Sequence, residues 1–153
     1  MSADARVEVA AEVDAAEIEA MANAVLEALD LADAELSVLL TTDAHIAQLN
    51  ATYRGVEGPT DVLSFPQEAM PGAPRVLGDV VVGLGRAAAQ AAERGHSLRD
   101  ELWVLIVHGV LHLCGHDHED DEERAAMLAA EQRLLAAVGR SLSAGLVGRA
   151  GEG

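Results

Sequence analysis

A strongly apolar helix that carries two histidines is the feature that most constrains this chain. Ser97 with Asp100 forms a capping box that opens the helix, LRDELWVLIVHGVLHLC follows, and Gly115 is well placed to end it. His108 and His112 are four positions apart, so on a helix they lie about 40° apart around the axis and about 6 Å along it. Both imidazoles can therefore reach one metal ion from the same face.

A third histidine completes a ligand set of the kind that binds zinc. Gly115 lets the chain leave the helix with positive φ, so that His118, three residues later, can return towards the first two. The pattern H-x-x-x-H-x-x-G-x-x-H supplies three imidazole nitrogens and leaves a fourth position for water, as in catalytic zinc sites. We therefore expect His108, His112 and His118 to bind one metal ion per chain. Three imidazoles suit Zn²⁺, although nickel, copper and iron accept them too.

Three neighbouring residues each allow two interpretations. His116 is either a solvent-facing turn residue, which is the favoured interpretation, or a further ligand. Asp117 either orients a ligating imidazole or caps the next helix, and the sequence favours neither. Cys114 is interpreted as a buried thiol at the helix end rather than as a soft ligand. It is also the only cysteine, which excludes an intrachain disulfide and fits a reducing compartment.

The residue after His108 argues against peptide hydrolysis. Zinc peptidases with the pattern H-E-x-x-H-x-x-G-x-x-H carry their general base there, whereas this chain has Gly109. Without that glutamate the site lacks the group that activates water and then protonates a leaving amine. A phosphodiester is a more natural target, because its leaving alkoxide is less demanding and an arginine can carry the charge.

The net charge of −16 limits how the chain can meet a nucleic acid. The sequence has no lysine, and residues 1–36 hold ten acidic residues against Arg6 alone. Such a chain has no surplus of cations to coat phosphates. With one Trp, one Tyr and one Phe it also has few rings on which bases could stack. The charge is nearly balanced over residues 50–100, so any phosphate contact is expected there.

Hydrophobic patterns predict the element order β-α-β-α-β-β-α-α-α. Strands are expected around Val7, Val9 and Val13, over 35–40, within DVLSF and over 77–84; helices are expected over about 15–30, 43–53, 85–94, 98–114 and 120–138. This order indicates an α+β fold, with a small mixed four-stranded sheet, about five helices and a zincin-like metal-site helix. We expect a single domain over 1–153, with a flexible tail over about 139–153.

Local signals indicate where several elements begin and end. Asp14 with Glu17 forms a capping box for the first helix, and Thr42 caps the second. Gly95 is a suitable residue to follow the third helix. Pro66 either ends the third strand or marks it as an edge strand, because proline has no N–H to donate to a neighbour.

The N-terminus and the apolar runs indicate where the protein works. The first twenty residues are acidic and have no apolar core, unlike a signal peptide. No apolar run approaches the length of a membrane span. We therefore expect a cytoplasmic protein without a membrane partner.

Several short motifs follow one another in an order that resembles a known family. Asn50, Tyr53 and Arg54 are followed by PTDVLSFP, LGD, GHS and HGVLHLCGHDH. Over about residues 45–135 this series resembles the YbeY family of bacterial metal-dependent endoribonucleases. The histidine motif and TDVLSF are the specific parts of the resemblance. The family's usual aromatic residue between Gly and Asp of the last motif is replaced here by His116.

The resemblance implies a function and a set of site residues. It implies zinc ligands at His108, His112 and His118, and a catalytic Arg54 that binds the scissile phosphate. It also implies maturation of the 3′ end of small-subunit ribosomal RNA, together with ribosome quality control. The implied partners are single-stranded or ribosomal RNA, the small ribosomal subunit and its assembly factors, and no DNA is expected. The acidity of the chain predicts weak binding to naked RNA, so ribosomal proteins or other assembly factors would supply specificity.

Other residues near these motifs have roles that the sequence leaves open. Asp79 and His96 either assist as bases or serve turns and caps. Thr60, Asp61 and Ser64 are expected to shape the floor or rim of a cleft, although Asp61 could equally bind loop amides.

Two further functions compete with the endoribonuclease. One is a zinc hydrolase of another class, such as a peptidase, which Gly109 argues against. The other is a non-catalytic ribosome-assembly module with structural zinc. Structural zinc sites usually have four protein ligands, so this hypothesis needs His116 or Cys114 as the fourth.

Overall fold

The computed structural model describes residues 3–8, 13–55, 58, 60–66, 76–116 and 120–139, and within them the chain forms four strands and five helices. The strands are β1 (Ala3–Val7), β2 (Glu35–Thr41), β3 (Val62–Pro66) and β4 (Val76–Gly83). The helices are α1 (Ala15–Ala28), α2 (Asp43–Arg54), α3 (Leu84–Arg94), α4 (Leu98–Leu113) and α5 (Asp121–Ala137). The predicted element order and the α+β class are confirmed. The predicted tail over about 139–153 lies almost wholly outside the described residues and stays a prediction.

The four strands form one mixed sheet in the order β1-β2-β4-β3. β1 pairs with β2 and β2 with β4 in parallel, whereas β3 runs antiparallel to β4. The strand order itself was not predicted. Pro66 is the last residue of β3, which lies at an edge of the sheet, so both interpretations of this proline hold.

The first strand lies earlier in the chain than its valines suggested. Of the three valines expected in it, only Val7 belongs to β1, and Val13 is buried but lies in a bend before α1. Val9 is outside the described residues. Small side chains, Ala3 and Ala5, instead face the core from β1, so the valine pattern placed the strand too far along the chain.

The two faces of the sheet are covered differently. One face, here called the closed face, packs against α1 and α4, with α5 behind them, and the main aliphatic core fills the space between. The other, here called the open face, carries α2 over a small cluster formed by Ile46, Leu63 and Val81. Because side chains alternate along a strand, each strand contributes to both faces.

α4 is the central helix of the closed face. Every residue from Glu101 to Leu111 is buried, as expected for a helix that is apolar all round. The side-chain oxygen of Ser97 accepts the N–H of Asp100, so the predicted capping box is confirmed on its N-cap side. The predicted caps at Asp14, Thr42 and Gly95 are confirmed as well. Among the described residues, no helix has the length and apolarity needed to cross a membrane.

Candidate metal centre

The first two predicted zinc ligands lie on the second half of α4. His108 is buried, with 3% of its surface exposed, and His112 is half-buried one turn further along. Residues four apart on a helix lie on the same side, so α4 brings the two imidazoles together as predicted. His118, the third predicted ligand, and Asp117 lie outside the described residues, and their roles stay predictions.

The turn after α4 has the predicted geometry. Cys114 is the C-cap of the helix, and Gly115 has a φ of 100°. That φ lies in the left-handed region, which glycine adopts at little cost. The N–H of His116 donates to the carbonyl oxygen of Leu111 over 3.1 Å and closes the turn. The chain therefore leaves the helix axis before it reaches His118.

One expectation about this turn was wrong. Cys114 is exposed rather than buried, because the buried part of α4 ends at Leu111. His116 is half-buried, and its two interpretations stay predictions. It lines a cavity of about 300 Å³ together with Leu29, next to the end of α1, and Arg133 of α5.

Gly109 lies at a close approach between α4 and β4. A Cβ atom at this position would lie 2.8 Å from Cγ1 of Val80 and 3.3 Å from the hydroxyl oxygen of Ser64. The Ser64 hydroxyl also donates to the carbonyl oxygen of Gly109 over 3.2 Å. The side chain of a glutamate at this position would therefore point into the closed face of the sheet and clash with Val80. The base used by zinc peptidases is thus excluded by packing as well as by sequence.

Arg54 is the last residue of α2, and its side chain is exposed. The preceding residue, Tyr53, contacts Phe65 of β3 edge to face, with ring centroids 5.4 Å apart. Ser64, the residue before Phe65 in β3, donates the hydrogen bond to Gly109 of α4 described above. The edge strand β3 therefore lies between the end of α2 and the histidine helix. No hydrogen bond or ion pair of the described residues joins Arg54 to either histidine.

Asn50 and Asp61 lie on either side of the connection from α2 to β3. The side-chain amide of Asn50, which is buried, donates to the carbonyl oxygen of Gly58 over 2.9 Å. Asp61 is also buried, and its Oδ1 accepts the hydroxyl of Thr60 over 3.3 Å. These bonds hold the described parts of the segment that follows Arg54.

Asp79 and His96 lie away from the histidine pair. Val80 faces α4, so its neighbour Asp79 faces the open side of the sheet, where it lines a cavity of about 500 Å³. Nε2 of His96 lies 2.6 Å from Oε1 of Glu101 at the start of α4. Glu101 precedes His108 by seven residues, or about 10 Å along the helix. For His96 the structure therefore supports the structural interpretation.

Sequence reasoning missed Glu131 of α5. This residue is 1% exposed, and its Oε1 lies 2.9 Å from Nδ1 of His108. The signal was present in the sequence, because Glu131 occupies the same helical stripe as Met127 and Leu134, both of which are buried core residues. An acidic residue at a core position of an amphipathic helix indicates a buried polar partner.

The described donors fit a zinc site that needs one more ligand. Within the described ranges, no three His, Cys, Asp or Glu side chains come together in a way that could hold a metal ion. His108 and His112 supply two imidazoles from one helix face, and a carboxylate lies behind the first, as is common for zinc-ligating histidines. The predicted third donor, His118, is beyond the described part of the turn.

Comparison with known proteins identifies the family. A family model described as "Endoribonuclease YbeY" matches residues 3–139. The chain belongs to the YbeY endoribonuclease family. As a member it is an endoribonuclease, a hydrolase of phosphodiester bonds, and the family is one of metalloenzymes. The predicted resemblance is thereby confirmed.

Relatives agree with this assignment, and a solved structure shares the fold. Endoribonuclease YbeY of Roseiflexus castenholzii is 48% identical over 140 residues, covering 86% of this chain and 88% of the relative. Endoribonuclease YbeY of Aquifex aeolicus is 46% identical over 126 residues, covering 82% and 84%. The solution structure of TM1509 from Thermotoga maritima matches with a TM-score of 0.55 at 25% identity, covering 86% of this chain and 89% of that one.

Proposed function

We propose that this YbeY protein is a zinc-dependent endoribonuclease that cuts single-stranded segments of ribosomal RNA. We infer that its substrate is the 3′ end of small-subunit ribosomal RNA. We also infer that the protein takes part in ribosome quality control and that it works in the cytoplasm. Family membership supports endonuclease chemistry, and the pairing of His108 and His112 at the end of a buried helix carries the proposal that this chemistry uses a metal.

The proposed ligands are His108, His112 and His118, with one Zn²⁺ ion per chain. When bound, such an ion supplies Lewis-acid activation of water at its open coordination position. The buried helix contributes rigidity, because ligands on a packed helix are held in place more firmly than ligands on a loop. The left-handed Gly115 supports the return of the third histidine towards the first two.

We propose that Arg54 binds the scissile phosphate and stabilises the negative charge that develops on its oxygens. Its position supports this role, because Arg54 is exposed and so available to a substrate. The ring contact of Tyr53 with Phe65 and the hydrogen bond of Asn50 to Gly58 hold the last turn of α2, which carries Arg54. A guanidinium suits this task, since its fork of N–H donors matches the geometry of two phosphate oxygens.

The net charge of −16 supports a delivered substrate. A strongly acidic protein gains little from the counterion release that drives non-specific RNA binding. We therefore propose that the small ribosomal subunit and its assembly factors bring the RNA to the site. Tight binding of the pure protein to arbitrary RNA, insensitive to salt, would contradict this part of the proposal.

Cleavage of a labelled single-stranded RNA tests the proposed site. His112→Ala should abolish cleavage, and Arg54→Ala should slow it by about a hundredfold to a thousandfold while the protein stays folded. Arg86→Ala removes an exposed arginine from α3 and serves as the matched control, with activity close to that of the parent. Equal activity in all four proteins would indicate a contaminating nuclease. If only His112→Ala lost cleavage activity, the proposed role of Arg54 would be wrong and the proposed metal site would stand.

A further inference from the structure

The bond between His108 and Glu131 joins two buried side chains from different helices. His108 of α4 is 3% exposed and Glu131 of α5 is 1% exposed, and Nδ1 lies 2.9 Å from Oε1. The second carboxyl oxygen of Glu131 is buried, and no hydrogen-bonding group accompanies it in the described part of the chain. A carboxylate buried with so few partners costs stability, which calls for a reason beyond packing.

The partner atom supplies that reason. An ionised carboxylate only accepts hydrogen bonds, so we assign Nδ1 of His108 as the donor, with the ring proton on that nitrogen. In a neutral imidazole the other nitrogen, Nε2, then has the lone pair that a metal ion needs. The bond also fixes the plane of the ring, because a buried imidazole held at Nδ1 cannot turn freely about its χ angles.

We propose that Glu131 is a positioning residue, which holds His108 in the tautomer and orientation that offer Nε2 to the metal ion. This inference rests on the proposed zinc site and deepens it. Carboxylates behind metal-ligating imidazoles raise the basicity of the ligand and fix its direction, and their loss weakens metal binding about tenfold to a hundredfold.

A second histidine–glutamate pair, between the half-buried His96 just before α4 and the buried Glu101 on α4, offers an internal control. Oε1 of Glu101, which is fully buried, lies 2.6 Å from Nε2 of His96, and Arg94 is 3.9 Å from its other oxygen. Here the carboxylate holds the imidazole through Nε2 and has an arginine beside it, as in an ion pair that serves folding. Glu101 and Glu131 are therefore both buried partners of a histidine, and we assign a metal-related role to Glu131 alone.

The affinity of the full-length, metal-free protein for Zn²⁺ tests the proposal, measured by competition with a chromophoric chelator. Glu131→Met removes the acceptor and keeps the volume, and should weaken zinc binding about tenfold to a hundredfold. Glu131→Gln keeps an oxygen that accepts from Nδ1, and should lose about threefold or less. Glu101→Met should lower the melting temperature but leave the zinc affinity of the folded protein within about twofold, since it does not touch His108.

A second measurement, made on the metal-free protein, tests whether Glu131 fixes the tautomer of His108. Long-range ¹H–¹⁵N correlations report which nitrogen of His108 carries the proton. The metal-free parent and Glu131→Gln should show the proton on Nδ1, whereas Glu131→Met should show a mixture of tautomers. This readout separates positioning from general damage to the fold, which would not select one ring nitrogen.

The outcomes distinguish this inference from the proposed metal site. If His108→Ala binds zinc as tightly as the parent, the metal site itself is wrong. If His108→Ala weakens binding and a folded Glu131→Met does not, the metal site stands and Glu131 is not its positioning residue. Should Glu131→Met fail to fold, the parent decides, because a proton on Nε2 of His108 in the metal-free protein overturns the proposal.

Discussion

The two faces of the sheet differ in packing: the closed face is tightly packed against a helix, whereas the open face is lined by charged residues around a cavity. On the closed face, Val80 and its neighbours pack directly against α4, leaving no space even for a Cβ atom at Gly109. On the open face, charged residues such as Asp79 and Glu8 line a cavity of about 500 Å³. The proposed histidine ligands belong to the helix on the closed face. The comparison teaches that close packing, not the open cavity, sets the position of the candidate metal site.

The largest expected effect follows from filling the closed face where Gly109 of α4 approaches Val80 of β4. Gly109→Glu would drive a side chain into Val80 and bury a charge without a partner, and both effects destabilise strongly. We expect a loss of more than about 4 kcal/mol in the free energy of unfolding, so that little folded protein is recovered. Circular dichroism and chemical denaturation measure this directly.

Gly109→Ala tests the same clash with a smaller side chain. One methyl group should cost about 1–3 kcal/mol net, despite the better helix propensity of alanine. Adding Val80→Ala to Gly109→Ala makes room for the methyl group, so the double variant should be more stable than the sum of the two single changes predicts. A folded Gly109→Glu protein that cleaved casein would contradict the close approach and restore the peptidase hypothesis.

Two adjacent valines on β4 face opposite sides of the sheet, so replacing each by alanine compares how tightly the two faces are packed. Val80 is fully buried in the main core, and Val81 lies in the small cluster under α2. Val80→Ala should cost about 2–3 kcal/mol, including the cavity that it leaves. Val81→Ala should cost about 1 kcal/mol, because the thinner cover of the open face can relax or admit water. Equal losses in urea denaturation would mean that the open face is as tightly packed as the closed one.

Much of the fold could be predicted because local signals are strong in this chain. The caps at Asp14, Thr42 and Ser97 and the left-handed glycines depend on hydrogen bonds within a few residues, which sequence reveals directly. The strand order depends on long-range pairing, and no local signal encodes it. The displaced first strand shows the same limit, since Ala3 and Ala5 face the core with little hydrophobicity of their own.

The candidate site divides in the same way. The i, i+4 spacing of His108 and His112 follows from helix geometry alone, so it was predictable. The contact from Glu131 joins residues 23 positions apart and depends on how α5 packs on α4, so sequence offered only the hint of an acid at a core position. Burial of Cys114 was wrongly expected, because an apolar run does not show where its helix reaches the surface.

Serine residues on the two faces provide a smaller comparison. The half-buried Ser64 donates to the carbonyl oxygen of Gly109, whereas Ser37 of β2 is exposed on the open face. Ser64→Ala should cost about 1 kcal/mol through the lost hydrogen bond. Ser37→Ala should change the free energy of unfolding by less than about 0.5 kcal/mol. A larger loss at Ser37 would show that the open face has a structural partner for this hydroxyl.

The smallest expected effect concerns two surface carboxylates. A hydrogen bond from Arg99 of α4 lowers the pKa of Glu17 of α1 below its ordinary value of 4.5, and one from Arg6 of β1 does the same for the pKa of Glu8, the residue that follows β1. A lowered pKa in the folded state adds stability above the unfolded value and loses it as the pH falls through the folded value. Both contributions should therefore be present in full well above pH 4.5 and be lost as the pH falls below that value and through the lowered pKa of the folded state.

The two pairs differ in what they connect. Arg99 and Glu17 are 82 residues apart and join two helices packed on the closed face, whereas Arg6 of β1 and Glu8, just after it, are only two positions apart at the open face. A local pair can form in the unfolded chain as well, so it contributes less to the difference between the states. Arg99→Gln should therefore lower the melting temperature at neutral pH more than Arg6→Gln does. Thermal unfolding from about pH 7 to about pH 3 should show both differences closing in acid, and a gap that persisted there would mean that Arg99 acts through packing rather than charge.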